Sequence, residues 1–243
     1  MRIVCISDTH NQHEALDKRL PEGDLLIHAG DLTGLGKRSE IENVIHWFTK
    51  VAPRYNYGLI FIAGNHDRCF DPKFNKEDQN QKPTWLLDIL LDLQSNFPNI
   101  HYLENTSVEV GEGPNKLKIW GSPYSPWFFG DRWAFNAHRG PEIKKYWNMI
   151  PVDTDIVVTH TPIAYKLDYV PRTSEYVGCE DLRYKLDLIN PKLHISGHIH
   201  ESYGYEESVF TKFVNAAICD RNYEPSNDPL VASYIDNEFI ISS

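Results

Sequence analysis

The sequence predicts an α/β fold in which two packed sheets are flanked by helices. The first half shows the order strand, helix, strand, helix, strand with short links, which is typical of a parallel sheet covered by helices. After residue 100 the pattern changes to alternating apolar and polar residues, which favours antiparallel pairing. The chain has 243 residues, of which 41% are hydrophobic, and this is enough for a substantial core. Because no repeat, low-complexity tract or linker interrupts it, we expect a single domain over residues 1–243.

Apolar runs and helix-start signals place the elements of the first half. Short apolar runs predict strands at 2–6, 24–28 and 59–63. Asn11, followed by Glu14 three residues later, predicts the cap of a helix over residues 11–19. Ser39 opens a capping box, and apolar residues at helical spacing follow it at 41, 44, 45 and 48. A charged loop is expected over 71–83 and a strongly apolar helix over 84–95.

The second half is expected to combine a hairpin with further strands and helices. Residues 101–120 alternate around a Gly-Glu-Gly-Pro turn at 111–114, which predicts an antiparallel hairpin. Short helices are expected at 141–149, where Pro141 stands near the start, and at 178–188. The remaining apolar runs predict strands at 155–158, 193–196, 209–214 and 230–242.

The charge balance, the hydropathy and the cysteines argue against several functional classes. The formal net charge is −10, whereas a sequence-independent nucleic-acid binder needs a basic face. No apolar run approaches the roughly 18 residues of a membrane span, and the first apolar run is too short for a secretory signal. The four cysteines form no C-x-x-C pair, which favours free thiols in a reducing compartment. We therefore expect a cytoplasmic protein that binds neither a membrane nor long nucleic acid.

Five predicted strands end in residue types that bind metals. The segments that follow them carry these side chains: Asp8 and His10, Asp31, Asn65 with His66 and Asp67, His160, and the pair His198 and His200. In an extended segment residues i and i+2 point the same way, so each Asp-x-His or His-x-His pair can reach one ion. Ligands of α/β sheets bind beyond the carboxyl ends of the strands. The pattern therefore favours a metal site at one edge of the predicted sheet.

Each motif also has a structural interpretation. Gly30-Asp31 is a common turn dipeptide, Asp8 could cap a following helix, and His160 could be a satisfied polar residue at a strand end. Gly-Asn-His-Asp and Gly-His-x-His are rarer, and all five motifs in order favour a shared site. The other six histidines (13, 28, 46, 101, 138 and 194) are interpreted as surface or core residues, and those at 28 and 194 need partners if they are buried.

In this order the five motifs resemble those of the calcineurin-like metallophosphoesterase superfamily, over residues 8–200. Further segments, at 121–127, 133–140, 178–182 and 213–216, resemble its metallophosphoesterase-domain-containing branch. The resemblance implies an αββα sandwich with a dinuclear metal centre. It implies one ion held by Asp8, His10, Asp31 and His200, and a second held by Asp31, Asn65, His160 and His198, with Asp31 bridging.

The implied ligand set and its neighbours lead to a mechanism. Mixed carboxylate, amide and imidazole ligands suit Mn, Fe, Zn or Co, with manganese expected to serve in vitro. Two such ions can deprotonate a shared water, and the resulting bridging hydroxide would attack phosphorus. The resemblance implies that His66 stabilises the transition state and protonates the leaving oxygen. Asp67 is assigned with it as catalytic, orienting His66 or bracing the loop, although it could equally be a plain turn carboxylate.

At two places the sequence differs from the motifs of other branches of this superfamily. Residues 32–36 read Leu-Thr-Gly-Leu-Gly, which differs from the Val-Asp-Arg-Gly type extension of protein Ser/Thr phosphatases. Gly34 stands where purple acid phosphatases place a tyrosine ligand, so an iron–tyrosinate pair is not expected.

The expected substrate is a small phosphodiester similar to a cyclic nucleotide. Contacts are expected from Asn65, His66, Trp127 and Arg139. The aromatic residues within 120–135 could stack on a base or could simply pack in the core and loops. The alternatives are a nuclease or phosphomonoesterase of the same superfamily, or a non-catalytic interaction scaffold. The chain's acidity does not exclude a small phosphoester, since two divalent ions would make the site locally positive.

Overall fold

The strands of the protein fall into two six-stranded sheets and two short ladders in a computed structural model that describes residues 1–242. In chain order, the strands of the described residues are β1 (Arg2–Ile6), β2 (Leu25–Ala29), β3 (Leu59–Ile62), β4 (Ile100–Tyr102), β5 (Thr106–Val110), β6 (Leu117–Ser122), β7 (Ser125–Pro126), β8 (Asn136–Ala137), β9 (Ile156–Thr159), β10 (Tyr169–Val170), β11 (Glu175–Tyr176), β12 (Leu193–Ser196), β13 (Gly204–Glu207), β14 (Lys212–Asn215), β15 (Leu230–Ile235) and β16 (Glu238–Ser242). The α-helices of the same residues are α1 (Arg38–Val51), α2 (Thr84–Asn96), α3 (Pro141–Trp147) and α4 (Glu180–Ile189).

Both large sheets are mixed, which confirms the predicted fold class. The first sheet has the order β16-β15-β1-β2-β3-β4, in which β1 to β4 are parallel and β15 and β16 are antiparallel. The second has the order β13-β14-β12-β9-β6-β5, in which the four central strands are parallel. After residue 100 the sequence predicts mainly antiparallel pairing, yet β6, β9, β12 and β14 form a parallel set. The last two strands return to the first sheet and give it its antiparallel pairs.

The core has three layers because the parallel strands are buried on both faces. Ile3 and Cys5 point into the space between the two sheets, where they meet side chains of β6, β9 and β12. Val4 and Ile6, one residue out of step, face the outer core beneath α1 and α2. A third cluster lies between the second sheet and the pair α3 and α4. These three apolar layers separate four layers of secondary structure, in the order helices, sheet, sheet, helices.

Two buried histidines lie inside strands and have hydroxyl partners. His28 Nε2 lies 2.9 Å from Thr9 Oγ1, and His194 Nε2 lies 2.8 Å from Thr159 Oγ1. Burial lowers the pKa of each imidazole to about 3, so both rings are neutral core residues. The expected partners are thus present at Nε2 of both rings, whereas the buried Nδ1 of His28 has no partner among the described residues.

Three local predictions differ from the structure. The helix expected over 11–19 is reduced to a 3-10 turn at His13–Leu16, because Asn11 has a positive φ of 69° and donates its N–H to Leu32 O. Helix α1 starts one residue before Ser39, and the Glu40 carboxylate accepts the Lys37 N–H. Residues 101 and 102 belong to β4, so the antiparallel hairpin starts only at β5.

The remaining sequence expectations concern thiols and membranes. All four cysteines are buried free thiols, as predicted. Among the described residues, every helix is too short or too polar to pass through a bilayer.

Candidate metal centre

The loops after β1, β2, β3, β9 and β12 meet at one edge of the sandwich and bring all seven predicted ligands together. Three clusters have donor atoms within 4.8 Å of one another: Asp8 with His10 and His200, His10 with Asp31 and His66, and Asp31 with His160 and His198. Asn65 joins them, since its Oδ1 lies 3.0 Å from His160 Nε2. Asp31 belongs to two of the three clusters, so its carboxylate lies between the two ends of the site.

The backbone at four of these residues is strained. Asp8, His10, Asp31 and His198 have positive φ values between 42° and 70°. Such conformations cost about 1–3 kcal/mol for non-glycine residues and cluster at functional sites. They persist because the loops hold one another: the Asp8 N–H donates to Gly30 O at 2.9 Å, and the His198 N–H donates to the Asp8 carboxylate at 2.9 Å.

Two motif glycines are required by the close approach of these loops. Gly30 has a φ of 97°, and a Cβ there would lie 2.7 Å from His160 Nδ1. A Cβ at Gly197 would lie 2.0 Å from Asp8 Oδ2. Both distances are shorter than any tolerable contact, so a side chain at either position would displace a neighbouring donor.

Backbone carbonyl groups orient three of the imidazoles. The Nδ1 atoms of His10, His160 and His200 lie 3.3, 3.0 and 2.8 Å from the carbonyl oxygens of Thr33, Ala29 and Asp220. A carbonyl oxygen only accepts, so each Nδ1 carries a proton and each Nε2 is the ring atom that faces the site. Histidines that bind metals are commonly fixed in this way.

The facing donor atoms fit a cation. His10 Nε2 and His200 Nε2 are 3.2 Å apart, and His200 Nε2 lies 3.2 Å from Asp8 Oδ1. Asp31 Oδ2 lies 3.3 Å from His160 Nε2 and 3.7 Å from His10 Nε2. Two lone pairs and two carboxylates in such proximity require protons or metal ions between them. The donor chemistry of carboxylate, amide and imidazole matches a divalent transition metal.

The pKa shifts of the site also show that positive charge stabilises its two carboxylates. Burial opposes the charged form of Asp8, yet the hydrogen bond and charge of His200 hold the pKa of Asp8 below its ordinary value. Burial likewise opposes ionisation of Asp31, whose pKa is held well below its ordinary value by the charge of His160. Against the effect of burial, the carboxylates raise the pKa of His160 and of His200 to about 9. In the absence of metal, these two imidazolium groups balance the two carboxylates.

His66 lies at the border of the cluster. Its Nδ1–H donates to Gly34 O at 2.7 Å, and its backbone N–H donates to Asp31 Oδ1 at 2.8 Å. The ring centroid is 4.6 Å from that of His10 and 4.4 Å from that of Trp133. Because Nδ1 is occupied by the carbonyl group, Nε2 is the atom that remains for a substrate.

Asp67 braces two loops. Its buried carboxylate accepts hydrogen bonds from the N–H groups of Leu32, Thr33 and Gly64 and from the Thr33 hydroxyl, at 2.7–3.0 Å. These partners tie the loop after β2 to the loop after β3. The carboxylate is thus directed at the loops and not at the imidazole of His66, which supports the loop brace, while the catalytic assignment stays a prediction.

Trp127 and Arg139 lie outside the metal cluster, on an adjoining cavity of about 680 Å³ that reaches His198. The Trp127 ring stacks on His138 with centroids 5.4 Å apart. Arg139 donates to the carbonyl oxygens of residues 177 and 178, at 2.9 Å each, and pairs with Glu180. Arg139 therefore connects two segments of the cavity wall, and the expected phosphate contact stays a prediction.

The aromatic segment 120–135 divides between core and site. Trp120 and Phe135 are buried in the core. The edge of Phe128 packs on the His198 ring at 4.9 Å, and Trp133 packs on His66. The packing interpretation holds for Trp120 and Phe135, and the stacking of a base on other rings of this segment stays a prediction.

Sequence reasoning missed Tyr223. Its ring lies edge-on to His10 and His200, with centroids 4.8 and 5.3 Å away, and its carbonyl oxygen accepts from Gln12. The residue stands in an irregular loop without a motif. The nearby Asp220 carbonyl, which orients His200, is equally invisible to side-chain patterns.

Comparisons with known proteins identify relatives that match most of the chain. A family model for calcineurin-like phosphoesterase matches residues 1–202. The chain is 38% identical over 238 residues to metallophosphoesterase domain-containing protein 1 of Homo sapiens, covering 95% of this chain and 70% of that protein. The Mus musculus protein of the same name matches with the same identity and coverage.

Solved structures with low sequence identity share the fold. TT1561 of Thermus thermophilus superposes with a TM-score of 0.61 at 13% identity and covers 99% of this chain and 97% of its own. Phosphopantetheinyl hydrolase from Mycobacterium tuberculosis superposes with a TM-score of 0.56 at 15% identity and covers 91% and 90%. At these identities the likeness concerns the fold alone.

Proposed function

Since the chain belongs to the calcineurin-like phosphoesterase family, we propose that it hydrolyses a small phosphodiester with two divalent metal ions as cofactors. Family membership supports a phosphoric ester hydrolase. The preference for a diester, and for one similar to a cyclic nucleotide, is the finer part of the proposal. The observation that supports a metal-dependent hydrolase is the convergence of seven side chains of types that bind metals. They come from loops of both sheets, and Asp31 is one of them.

The residues present divide into two donor sets that share one carboxylate. Asp8, His10, Asp31 and His200 would hold one ion, and Asp31, Asn65, His160 and His198 would hold the other. When bound, such ions polarise a phosphoryl oxygen and lower the pKa of water, which supplies a nucleophile at neutral pH. We propose manganese as the ion to use in vitro, and the same donors suit iron, zinc and cobalt.

His66 is proposed as the proton donor to the leaving oxygen. Its Nδ1–H is held by Gly34 O, so Nε2 is the ring atom that is left to face the leaving oxygen. Its backbone N–H binds Asp31, which couples the position of the imidazole to that of the central carboxylate. Trp133 covers one side of the ring and reduces its access to water.

The charge of the site favours a small substrate. Two divalent ions would exceed the charge of Asp8 and Asp31, so the pocket would be positive within an acidic protein. A small phosphoester can enter such a pocket. A long polyanion would have to lie across a surface of net negative charge, which argues against a nuclease acting on long chains.

The proposal is tested with purified protein loaded with Mn²⁺. Metal content is measured by mass spectrometry, and hydrolysis of bis(p-nitrophenyl) phosphate is followed by absorbance. Asp31→Asn is expected to abolish both metal binding and hydrolysis. His66→Ala is expected to keep the metal and to lower kcat by about 10²–10⁴-fold.

Matched controls are available on the helices far from the site. Asp88→Asn and His46→Ala change exposed residues of α2 and α1 and should leave metal content and kcat unchanged. Inert metal-loaded protein, or unchanged activity in Asp31→Asn and His66→Ala, would favour the interaction scaffold instead. Parallel assays on 2′,3′- and 3′,5′-cyclic nucleotides, monophosphates and single-stranded DNA decide among the phosphoester classes.

A further inference from the structure

A cavity of about 680 Å³ opens beside the candidate metal centre. His198 lies in its wall, and so does Phe128, whose edge packs on the His198 ring at 4.9 Å. The remaining wall comes from the segment 126–129 on one side and from the hairpin β10–β11 on the other. The volume lies within the range of about 300–1,000 Å³ that is usual for small-molecule sites.

Exposed aromatic side chains line this cavity. The exposed fractions are 44% for Trp127, 77% for Phe129, 59% for Tyr165 and 59% for Tyr176. The Tyr165 and Tyr176 ring centroids are 5.4 Å apart, and Tyr169 lies 5.1 Å from Tyr176. A concentration of solvent-facing aromatic rings around a concave site marks a binding surface for another apolar or aromatic group.

The backbone of the wall is strained and held in place. Phe129 and Tyr165 have positive φ values of 47° and 62°, a conformation that bulky residues rarely adopt. Asp168, which is buried, accepts hydrogen bonds from the Tyr165 N–H and the Gly178 N–H at 2.9 Å each. These bonds fix the chain on both sides of the hairpin, so the aromatic wall exists before a ligand arrives.

The charged side chains of the wall nearly balance one another. Arg139 and Arg172 line the cavity together with Glu175. Arg139 pairs with Glu180 and donates to the carbonyl oxygens of residues 177 and 178, so it supports the wall. The cavity thus offers aromatic faces with little net charge, next to a site that binds phosphate if the proposed function holds.

We propose that this cavity binds the aromatic ring of the substrate, a nucleobase or an aryl group, while its phosphate lies at the metal centre. Only the placement of the phosphate at the metal centre rests on the proposed function. Phe129 and Tyr176 are the specificity-determining residues, because both are exposed rings that line the cavity without contributing to the core. Stacking of a base on an aromatic side chain is worth enough to change affinity by about tenfold or more per ring.

The test compares ligands that differ only in the aromatic group. AMP and ribose 5-phosphate are titrated into Mn²⁺-loaded full-length protein by calorimetry. Wild-type protein is expected to bind AMP more tightly. Phe129→Ala and Tyr176→Ala should each weaken AMP binding by about tenfold and leave ribose 5-phosphate binding unchanged. Phe210→Ala removes an equally exposed ring from the turn before β14 and should change neither.

A kinetic measurement separates this inference from the proposed function. The ratio of kcat/KM for bis(p-nitrophenyl) phosphate to that for methyl p-nitrophenyl phosphate should fall in the two variants, since the second aryl ring loses its site. Equal effects on both ligands and both diesters, or wild-type affinity for AMP no greater than for ribose 5-phosphate, would overturn the inference. Selective AMP binding without hydrolysis of any ester would support the cavity and refute the hydrolase.

Discussion

Substitutions of Asp67 test whether its carboxylate holds two loops together or takes part in the reaction. Its carboxylate accepts four hydrogen bonds from buried donors on the loops after β2 and β3. Asp67→Ala leaves these donors without a partner, at about 1 kcal/mol or more each, so the expected loss of unfolding free energy is about 4 kcal/mol. For a chain of this length about 1 kcal/mol corresponds to roughly 2–4 °C, so the melting temperature should fall by about 8–16 °C.

Asp67→Asn should be milder for a reason that the structure provides. The amide oxygen can still accept from Leu32 and Gly64, whereas the amide NH₂ group opposes the Thr33 N–H. Burial, with the charge of Asp31, raises the pKa of Asp67 to about 6, so a neutral side chain also avoids part of the cost of a buried charge. We expect a loss of about 2 kcal/mol.

The assay combines thermal unfolding of the metal-free protein with kcat at saturating Mn²⁺. If Asp67 holds the loops together, Asp67→Asn should have a lower melting temperature and a weaker metal affinity. It should retain its kcat once Mn²⁺ is saturating. Asp88→Asn, on the exposed face of α2, is the matched control and should change neither quantity. The reasoning is refuted if Asp67→Asn keeps its melting temperature and loses about 10²–10⁴-fold in kcat, as expected for a proton-transfer group.

Three further outcomes follow from the geometry. Gly197→Ala places a Cβ 2.0 Å from Asp8 Oδ2 and should weaken Mn²⁺ binding by about 10–100-fold in calorimetry; unchanged affinity would contradict the close approach of these loops. Thr159→Val removes the hydroxyl partner of buried His194 and should cost about 1–3 kcal/mol in urea unfolding, with no cost if that hydrogen bond is unimportant. Mn²⁺ at about 100 times its Kd should stabilise the folded protein by about 2.7 kcal/mol, and chelation should reverse this; a melting temperature insensitive to both would argue against a metal centre.

The ligand residues could be predicted because their chemistry is carried by side chains at strand ends. Each of Asp8, Asp31 and His160 follows a short apolar run, and such runs end at the same edge of parallel sheets. The pairing of β15 with β1, and of β16 with β15, could not be predicted, since an apolar strand does not specify its neighbour.

The failures share one physical cause, which is tertiary contact that overrides local pattern. Asn11 has the residue type of a helix cap, yet its N–H is taken by Leu32 O and its backbone is left-handed. No sequence pattern shows that Arg139 donates to the carbonyl groups of residues 177 and 178, because that contact joins segments far apart in the chain. Tyr223 reaches the site from a loop whose path no periodicity describes.

The division of the ligands between two sheets has a kinetic consequence. Asp8 and His200 are 192 residues apart in sequence, and Asp31 and His160 likewise come from opposite sheets. During synthesis from the N-terminus, the ribosome releases the donors of the first sheet long before those of the second. A complete cage therefore forms only when the two sheets dock, late in folding. An ion bound there would hold the docked sheets together, so it should slow unfolding and lengthen the lifetime of the native protein without accelerating its folding.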